Sequence, residues 1–384
     1  MFLIRNRFAA LLLLLAGGAV TANCAAPMAY KWSVQYLIDN SQSVFGRSQE
    51  VYPRANRALG ISPDGNYLYA GYHQSFNNGP ALTSKNSRMT NSGEVRKIDL
   101  RIADYEDATK AVLPFHQTKA ITVDDQNNVY LADGRAIDVY DADLNKNWLT
   151  IPMEDCNGVT MVREGSETIL YATERERGDL CRFLIDTRPG SDGAKAAPAG
   201  LGGNGVVHIQ GAQSLRGVAV DARGRIWMAD PEVNKVFRIN ADGSNQVSVD
   251  VKNPMAIGFY GDTALITRGT DREIALISPD MVVTGNLSVP WEELELAPYG
   301  NNHDGALSGI AVIPGGKGFF VTNEHGQTSN QKSTYGRTDQ YSEVIDGKLY
   351  TDAFQDDNEP ILRAVPVEVQ EVGVATPAAA SPSP

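Results

Sequence analysis

Four histidines and two acidic residues are the candidates for catalytic chemistry in this sequence of 384 residues. Three imidazole nitrogens and one water are the usual ligands of a catalytic zinc ion, and a nearby carboxylate can act as general base. Histidines spread from position 73 to position 325 can form one site only if the fold brings them to one face. The candidate ligands are His73, His116, His303 and His325, and the candidate carboxylates are Asp304 and Glu324.

A short pattern that recurs six times along the chain predicts the elements that carry these residues. Each copy has a small residue, three mostly apolar or small residues, a polar turn and a second run of strand formers that ends in Ala or Thr. A copy such as GVAVDARGRIWMA predicts an antiparallel β-hairpin, and a second hairpin after it completes four strands, which is one blade of a β-propeller. The copies begin at Ala58, Ala120, Gly158, Gly217, Ala256 and Gly309.

The repeats predict an all-β fold, a six-bladed β-propeller of four-stranded blades over residues 27–365. Because a ring must close, we expect the N-terminal strand Trp32–Ile38 to pair with the last blade. Residues 366–384 are rich in Pro, Ala and Ser and are predicted to be a disordered tail. The copies start 38 to 62 residues apart, so the longer intervals predict inserted loops at Tyr72–Gly93, Thr187–Gly205 and Glu324–Tyr341.

The predicted propeller places the four histidines on one face. Loops that precede a first strand and loops that follow a second strand open on the same face, around the central channel. His116 and His303 precede the first strands of blades two and six, and His73 and His325 follow the second strands of blades one and six. The sequence therefore suggests a zinc site, with loop histidines that never converge as the alternative.

The residues just before the small residue of each copy should ring the mouth of the channel. They are Arg57, Lys119, Asn157, Arg216, Met255 and Ser308, and the ends of the second strands add Asp133, Glu174, Asp230, Arg268 and Glu324. Paired Arg and Lys donors suit a carboxylate or a sugar acid, so a small anionic ligand is one hypothesis. The alternative is that the cations bridge to acidic neighbours and tie the blades together. The predicted ligand-binding residues are Arg57, Lys119, Asn157, Arg216 and Arg268.

The repeat resembles the NHL-type repeat of extracellular propellers and is similar to the regucalcin/gluconolactonase and strictosidine-synthase-like group. The resemblance to the lactonases implies a Ca²⁺-type cation held by Glu, Asn and Asp at the channel mouth. Asn157-Gly158 matches one expected ligand step, but Lys119 and Arg216 stand where further ligands are expected, which disfavours a lactonase. Other propellers of this type, the peptidyl-hydroxyglycine lyases, carry zinc on histidines, so Zn and Ca are the candidate cofactors.

The first residues predict export. Arg5 and Arg7 precede an apolar run at Phe8–Val20, so residues 1–22 read as a signal peptide, and a secreted or periplasmic location is expected. Lipoprotein anchoring at Cys24 is disfavoured by Asn23, because the processing enzyme requires a small residue there. No later apolar run is long enough for a transmembrane segment.

The net charge limits the expected partners, and the cysteines predict a disulfide. A net charge of −12 disfavours nucleic acid and anionic membranes as partners. In an oxidising compartment, Cys156 and Cys181 are predicted to form a disulfide, with two buried thiols as the alternative. Two hypotheses remain: a module that binds a protein, carbohydrate or small anion, and a metal-dependent hydrolase or lyase at the channel mouth.

Overall fold

The computed structural model describes residues 29–36, 51–77, 89–90, 93–103, 105–115, 117–186, 195–290, 305–325, 339–345, 348–354 and 361–367. These belong to one compact unit, Tyr30–Pro366, except for one residue at either end. The predicted signal peptide lies outside the described residues, as does the predicted tail beyond its first two residues, which end the last strand. No helix in the described part of the chain is long and apolar enough to cross a membrane.

The described strands form six blades of four antiparallel strands, which confirms the predicted six-bladed β-propeller. Each innermost strand contacts the innermost strand of the next blade, and the sixth contacts the first, so the blades form a closed ring. In every blade the innermost strand and the second strand lie on one of the six sequence repeats.

The chain enters the propeller through β1 and then builds blades one and two. In both blades the strands follow one another from the channel outwards, apart from a short extra strand that pairs with the second strand of blade one. The strands are β1 (Ala29–Tyr36), then β2 (Val51–Ile61), β3 (Tyr67–Asn77), β4 (Met89–Thr90), β5 (Gly93–Asp99) and β6 (Thr109–Phe115) in blade one, with the helical turn α1 (Tyr105–Ala108), and β7 (Ala120–Val123), β8 (Val129–Ala132), β9 (Ala136–Tyr140) and β10 (Asn147–Pro152) in blade two.

Blades three and four continue the pattern. In blade three the outermost position is divided between two short strands that both pair with β13, on either side of a 3-10 turn at Leu201–Gly203. The strands are β11 (Cys156–Glu164), β12 (Glu167–Glu174), β13 (Asp179–Asp186), β14 (Lys195–Pro198) and β15 (Val206–His208) in blade three, and β16 (Val218–Val220), β17 (Ile226–Asp230), β18 (Lys235–Ile239) and β19 (Val247–Asp250) in blade four.

Blades five and six complete the ring, and blade six contains an inserted hairpin between its second and third strands. That hairpin forms a separate two-stranded sheet. The strands are β20 (Pro254–Tyr260), β21 (Thr263–Arg268), β22 (Glu273–Ile277) and β23 (Val283–Ser288) in blade five, β24 (Gly305–Val312), β25 (Phe319–His325) and β28 (Ile361–Val367) in blade six, and β26 (Asp339–Ile345) and β27 (Lys348–Phe354) in the hairpin.

The N-terminal strand closes the ring. β1 is the outermost strand of blade six, beside β28, so the two ends of the propeller share one sheet. The prediction placed this strand at Trp32–Ile38, and the observed strand is shifted towards the N-terminus, to Ala29–Tyr36. Tyr30 and Trp32 each pack edge-to-face on Phe319, with ring centroids 5.2 and 5.8 Å apart. Aromatic pairs of this geometry stabilise the closure beyond the area that they bury.

The buried apolar side chains of the described residues form six clusters, and these join neighbouring blades. One cluster joins Leu59 of blade one to Phe320 of blade six, and another joins Trp227 of blade four to Ile266 of blade five. Strand side chains alternate between the two faces of a sheet, so each blade contributes to a cluster on either side. The blades are therefore held by packing around the whole ring.

The small residue of the repeat permits the inner strands to approach one another. A Cβ atom added to Gly158 would lie 2.0 Å from the carbonyl oxygen of Arg216 in the next blade. A Cβ on Gly217 would lie 2.6 Å from the carbonyl oxygen of Met255, and a Cβ on Gly309 would lie 2.8 Å from that of Arg57. Only glycine fits at these three positions, because a side chain would push a neighbouring backbone away.

The predicted disulfide is wrong in this structure, where Cys156 and Cys181 are two free, buried thiols. Cys156 lies on β11 and Cys181 on β13, and β12 runs between those strands. Two strands that flank a third are roughly 9–10 Å apart, whereas a disulfide needs Cα atoms closer than about 7 Å. Both cysteines belong to the same apolar cluster and act there as small hydrophobic side chains.

Candidate functional site

The mouth of the central channel is a cavity of about 100 Å³. Each blade contributes three consecutive residues to its wall, in the order polar or flexible side chain, small residue, apolar residue. We call these three layers the ring, the small layer and the floor. The ring is Arg57, Lys119, Asn157, Arg216, Met255 and Ser308; the small layer is Ala58, Ala120, Gly158, Gly217, Ala256 and Gly309; and the floor is Leu59, Ile121, Val159, Val218, Ile257 and Ile310.

The ring contains the same six residues that the repeat register predicted, and four of them lie at β-bulges. Register shifts fall at or beside Arg57, Asn157, Met255 and Ser308. A bulge inserts an unpaired residue and redirects its side chain, and bulges are common beside binding sites. In the other two blades the backbone N–H of the ring residue donates to the second strand, from Lys119 to Ala132 at 2.7 Å and from Arg216 to Ala229 at 2.8 Å. The sequence carried no signal for the bulges, because a bulge is a property of strand pairing.

Positive charge dominates this cavity. Arg57, Lys119 and Arg216 line it, and none of the described residues in its wall is acidic. The Asn157 side-chain amide donates to the Asp155 carbonyl oxygen at 3.0 Å, which holds the amide in place at the ring. Positive groups in a partly enclosed cavity raise the local concentration of anions, even on a protein whose net charge is −12.

Three acidic residues that the structural alternative places beside the ring cations have described contacts of their own. Asp230 is fully buried, and its two oxygens accept four backbone N–H bonds, from Gln213, Ser214, Glu232 and Val233. Asp133 accepts the backbone N–H groups of Arg135 and Ala136. Glu174 pairs with Arg177 at 3.1 Å, and burial raises the pKa of its carboxyl despite this partner.

Arg268, the fifth predicted ligand-binding residue, does not line the described cavity. It lies at the end of β21 and pairs with Asp271 at 2.7 Å and with Glu273 at 2.5 Å. Burial raises the pKa of the Asp271 carboxyl, and the charge of Arg268 opposes that rise. These contacts support the structural alternative for Arg268, which ties the loop between β21 and β22 to the end of its own strand.

Hydrogen bonds between blades fix the backbone of the ring. The Thr173 hydroxyl donates to the Arg216 carbonyl at 2.6 Å, and the Thr267 hydroxyl donates to the Ser308 carbonyl at 2.9 Å. The backbone N–H of Gly217 donates to the Met255 carbonyl at 3.0 Å. The ring therefore stands on backbone that is bonded to the neighbouring blade, and a preorganised site loses less entropy when it binds a ligand.

The described residues do not test whether the four candidate metal ligands come together. The prediction that His73 and His325 follow second strands is wrong, because the strands are longer than predicted: His73 lies within β3 of blade one and His325 is the last residue of β25 of blade six. Only the backbone of these two residues is described. His116, His303 and Asp304 lie outside the described residues, and the Glu324 side chain does too. The described residues contain no cluster of three metal-ligating side chains. The zinc site and a Ca²⁺ site stay predictions.

A second cavity, of about 270 Å³, lies at the turns between the first and second strands, at the other end of the inner strands. It was not predicted from the sequence. Its wall includes Ser62, Asp124 and Met161 from blades one, two and three. The Asp124 carboxylate is already occupied, because it accepts bonds from Asn128 and from the Tyr130 hydroxyl. Its polar groups serve the turns, so this cavity is a weaker candidate site than the ring.

Comparison with known proteins identifies no family for this chain. No family model matches the chain, and no curated protein matches it. Among solved structures, virginiamycin B lyase from Staphylococcus aureus is 12% identical, with a TM-score of 0.44 over 88% of this chain and 99% of that one. A catalytically inactive variant of that lyase with quinupristin is 10% identical, with a TM-score of 0.46 over 87% and 99%. A chain of a nidogen/laminin complex is 12% identical, with a TM-score of 0.44 over 63% and 81%.

Proposed function

We propose that this chain is an exported binding propeller that holds a small anionic group at the ring. The observation that carries the proposal is the composition of the cavity wall: three cations, one amide and no acidic residue among the described lining residues. Arg guanidinium groups bind carboxylates through two parallel hydrogen bonds, and a Lys ammonium adds a point charge. Arg57, Lys119 and Arg216 are the proposed charged contacts, and Asn157 is a polar contact beside them.

The size of the cavity sets the kind of ligand. A volume of about 100 Å³ accommodates a carboxylate with a few further atoms and is below the usual range of drug-sized pockets. The anionic group can belong to a free small acid, to a sugar acid or to an acidic side chain of a protein partner. All three present the same chemistry to the ring.

Isothermal titration calorimetry at low ionic strength tests the proposal with sulfate, phosphate and acetate as probes. We expect Arg57→Gln, Lys119→Gln and Arg216→Gln each to weaken binding about tenfold or more, because a hydrogen bond to a charged group contributes about 1.5–3 kcal/mol. Arg223→Gln is the matched control. It removes the same charge from an exposed turn at the opposite face and should leave binding unchanged.

Two results would refute the proposal. One is that none of the three anions binds the wild-type protein at millimolar concentration. The other is that the three ring variants and Arg223→Gln all bind as the wild type does, which would place the anion elsewhere.

A metal-dependent hydrolase or lyase at the same mouth is the second candidate function. The observation that favours it is that His73 and His325 lie in the second strands of blades one and six, which are neighbours in the ring, with His325 at the last position of its strand. Elemental analysis of purified protein tests it directly. About one equivalent of zinc, lost in the double variant His73→Ala/His325→Ala, would support this function, and a metal-free protein that gains no zinc on dialysis would refute it.

A further inference from the structure

The floor beneath the ring is apolar in every blade. All six floor residues are aliphatic, and each keeps 6 to 8% of its surface exposed, which is the part that faces the cavity. Along each inner strand the floor residue comes two positions after the ring residue, with the residue of the small layer between them. A ligand that enters past the cations therefore meets charge first and hydrocarbon second.

The floor is held rigidly. Each of its six residues belongs to a different one of the six core clusters that join the blades. Packed protein interiors do not deform continuously, so the floor side chains cannot move up to fill the space beneath the ring. Water in that space has few hydrogen-bond partners among aliphatic side chains, and an apolar group that replaces poorly held water gains affinity.

The ring itself is uneven. Its cations and its amide lie in blades one to four, whereas blade five contributes the thioether of Met255, which lies 3.8 Å from an Arg216 Nη atom. Methionine is polarisable and adapts to apolar ligands. An anionic group is thus drawn towards the first four blades, and an apolar part of the ligand finds Met255 and the floor on the other side and below.

We propose that the ligand is an amphipathic monoanion, a carboxylate that carries a short unbranched or singly branched aliphatic tail. The carboxylate lies among Arg57, Lys119 and Arg216, and the tail points down the channel onto the floor. This inference rests on the proposed anion-binding function and adds the class of ligand to it. An inorganic anion would satisfy the ring and leave the floor facing water.

A homologous series of carboxylates tests the inference. The affinities of formate, acetate, propionate, butyrate and valerate are measured by calorimetry at neutral pH, where all are ionised, with sulfate as the reference. We expect affinity to rise about fourfold per methylene, because each buried CH₂ contributes about that factor. The rise should stop once the tail fills the space of about 100 Å³. Butylammonium carries a tail of similar length on a cation and should not bind.

A floor variant separates the tail from the charge. Val218→Thr replaces a floor methyl by a hydroxyl of nearly the same size and should reduce the gain in affinity per methylene relative to the wild-type protein. Should that variant fold poorly, Ile310→Val is the second test. It removes one methyl group from the floor, which enlarges the cavity, and it should shift the preferred ligand towards an acid with a longer tail.

The outcomes separate this inference from the proposed function. Equal affinities for formate, valerate and sulfate would overturn the amphipathic ligand and leave anion binding in place. If no anion binds at all, both fail. A rise with tail length that survives loss of the ring charges, in Arg57→Gln/Arg216→Gln, would overturn the carboxylate position.

Discussion

The Thr173 hydroxyl of blade three donates a 2.6 Å hydrogen bond to the Arg216 carbonyl of blade four, one position before the glycine of the next repeat. The bond crosses a blade boundary at the channel mouth. The bond also fixes part of the candidate site, because the carbonyl that accepts it belongs to Arg216, which lines the cavity.

Replacement of Thr173 by valine should lower the free energy of unfolding by about 1–3 kcal/mol, because the part-buried Arg216 carbonyl loses its donor and faces a methyl group instead. Urea denaturation followed by fluorescence measures the loss. Thr160→Val, at a half-buried position of β11, is the matched control and should change the midpoint little. Equal losses in the two variants would show that the bond across the boundary contributes nothing.

Gly158→Ala should be among the most damaging single substitutions in the inner strands. The added Cβ would lie 2.0 Å from the Arg216 carbonyl oxygen, so two blades must separate, at a cost of about 3 kcal/mol or more. The control is Gly285→Ala in the outer strand β23, where the nearest atom to a new Cβ is 3.9 Å away. Melting temperatures of both variants test this. A Gly158→Ala protein as stable as Gly285→Ala would contradict the close approach of the blades.

Cys156 and Cys181 should be free thiols that are protected from alkylation in the folded protein. Burial raises the pKa of the Cys156 thiol, and burial with the charges of Glu174 and Asp179 raises the pKa of Cys181 to about 11. Thiols react as thiolates, so both should resist alkylation in the native protein at pH 8. Mass spectrometry after unfolding without a reductant should then find Cys156 and Cys181 both alkylated. Two protected sulfurs under those conditions would restore the disulfide.

Acid should remove a contribution of Asp99 to stability. Two Arg101 guanidinium bonds at 2.7 Å lower the pKa of the Asp99 carboxyl to about 2 in the folded protein, whereas the unfolded value is about 3.9. The folded pKa is depressed, so the stabilisation is complete above about pH 5 and is lost as the pH falls towards 2. Asp99→Asn should be less stable than the wild type at pH 7, and the urea midpoints of the two should converge only as the pH falls to about 2. A constant difference across that range would contradict the ion pair.

Loss of the aromatic contact at the ring closure should loosen the propeller. Trp32→Ala removes a ring that packs on Phe319 at 5.8 Å and should cost about 2 kcal/mol, because the outermost strand of blade six then holds less tightly. Trp148→Ala is the control in β10 of blade two, where the indole stacks under Lys146 instead of another ring. Unfolding by urea measures both. A larger loss in Trp148→Ala would argue against a special role for the closure.

The sequence could predict the blades because the hairpin is a local structure. A small residue, an apolar run, a turn and a second run specify two paired strands wherever they occur, and six copies specify a ring. The same register named all six ring residues, from Arg57 to Ser308, because each occupies the same place relative to its inner strand. The closing strand followed from the need to pair an open sheet edge, although its bounds differed by three residues at the first end.

Only the tertiary structure decided which residues of different strands and blades come into contact. The separation of Cys156 from Cys181 depends on β12 lying between their strands, which spacing along the chain does not encode. Arg268 shares the sequence position of a mouth residue, yet it pairs with Asp271 and Glu273, because side-chain direction depends on which neighbours are within reach. The bulges at the ring and the aliphatic floor beneath it arise from pairing and stacking of six separate segments. Such contacts join residues far apart in sequence, and their geometry is set by packing around the whole ring.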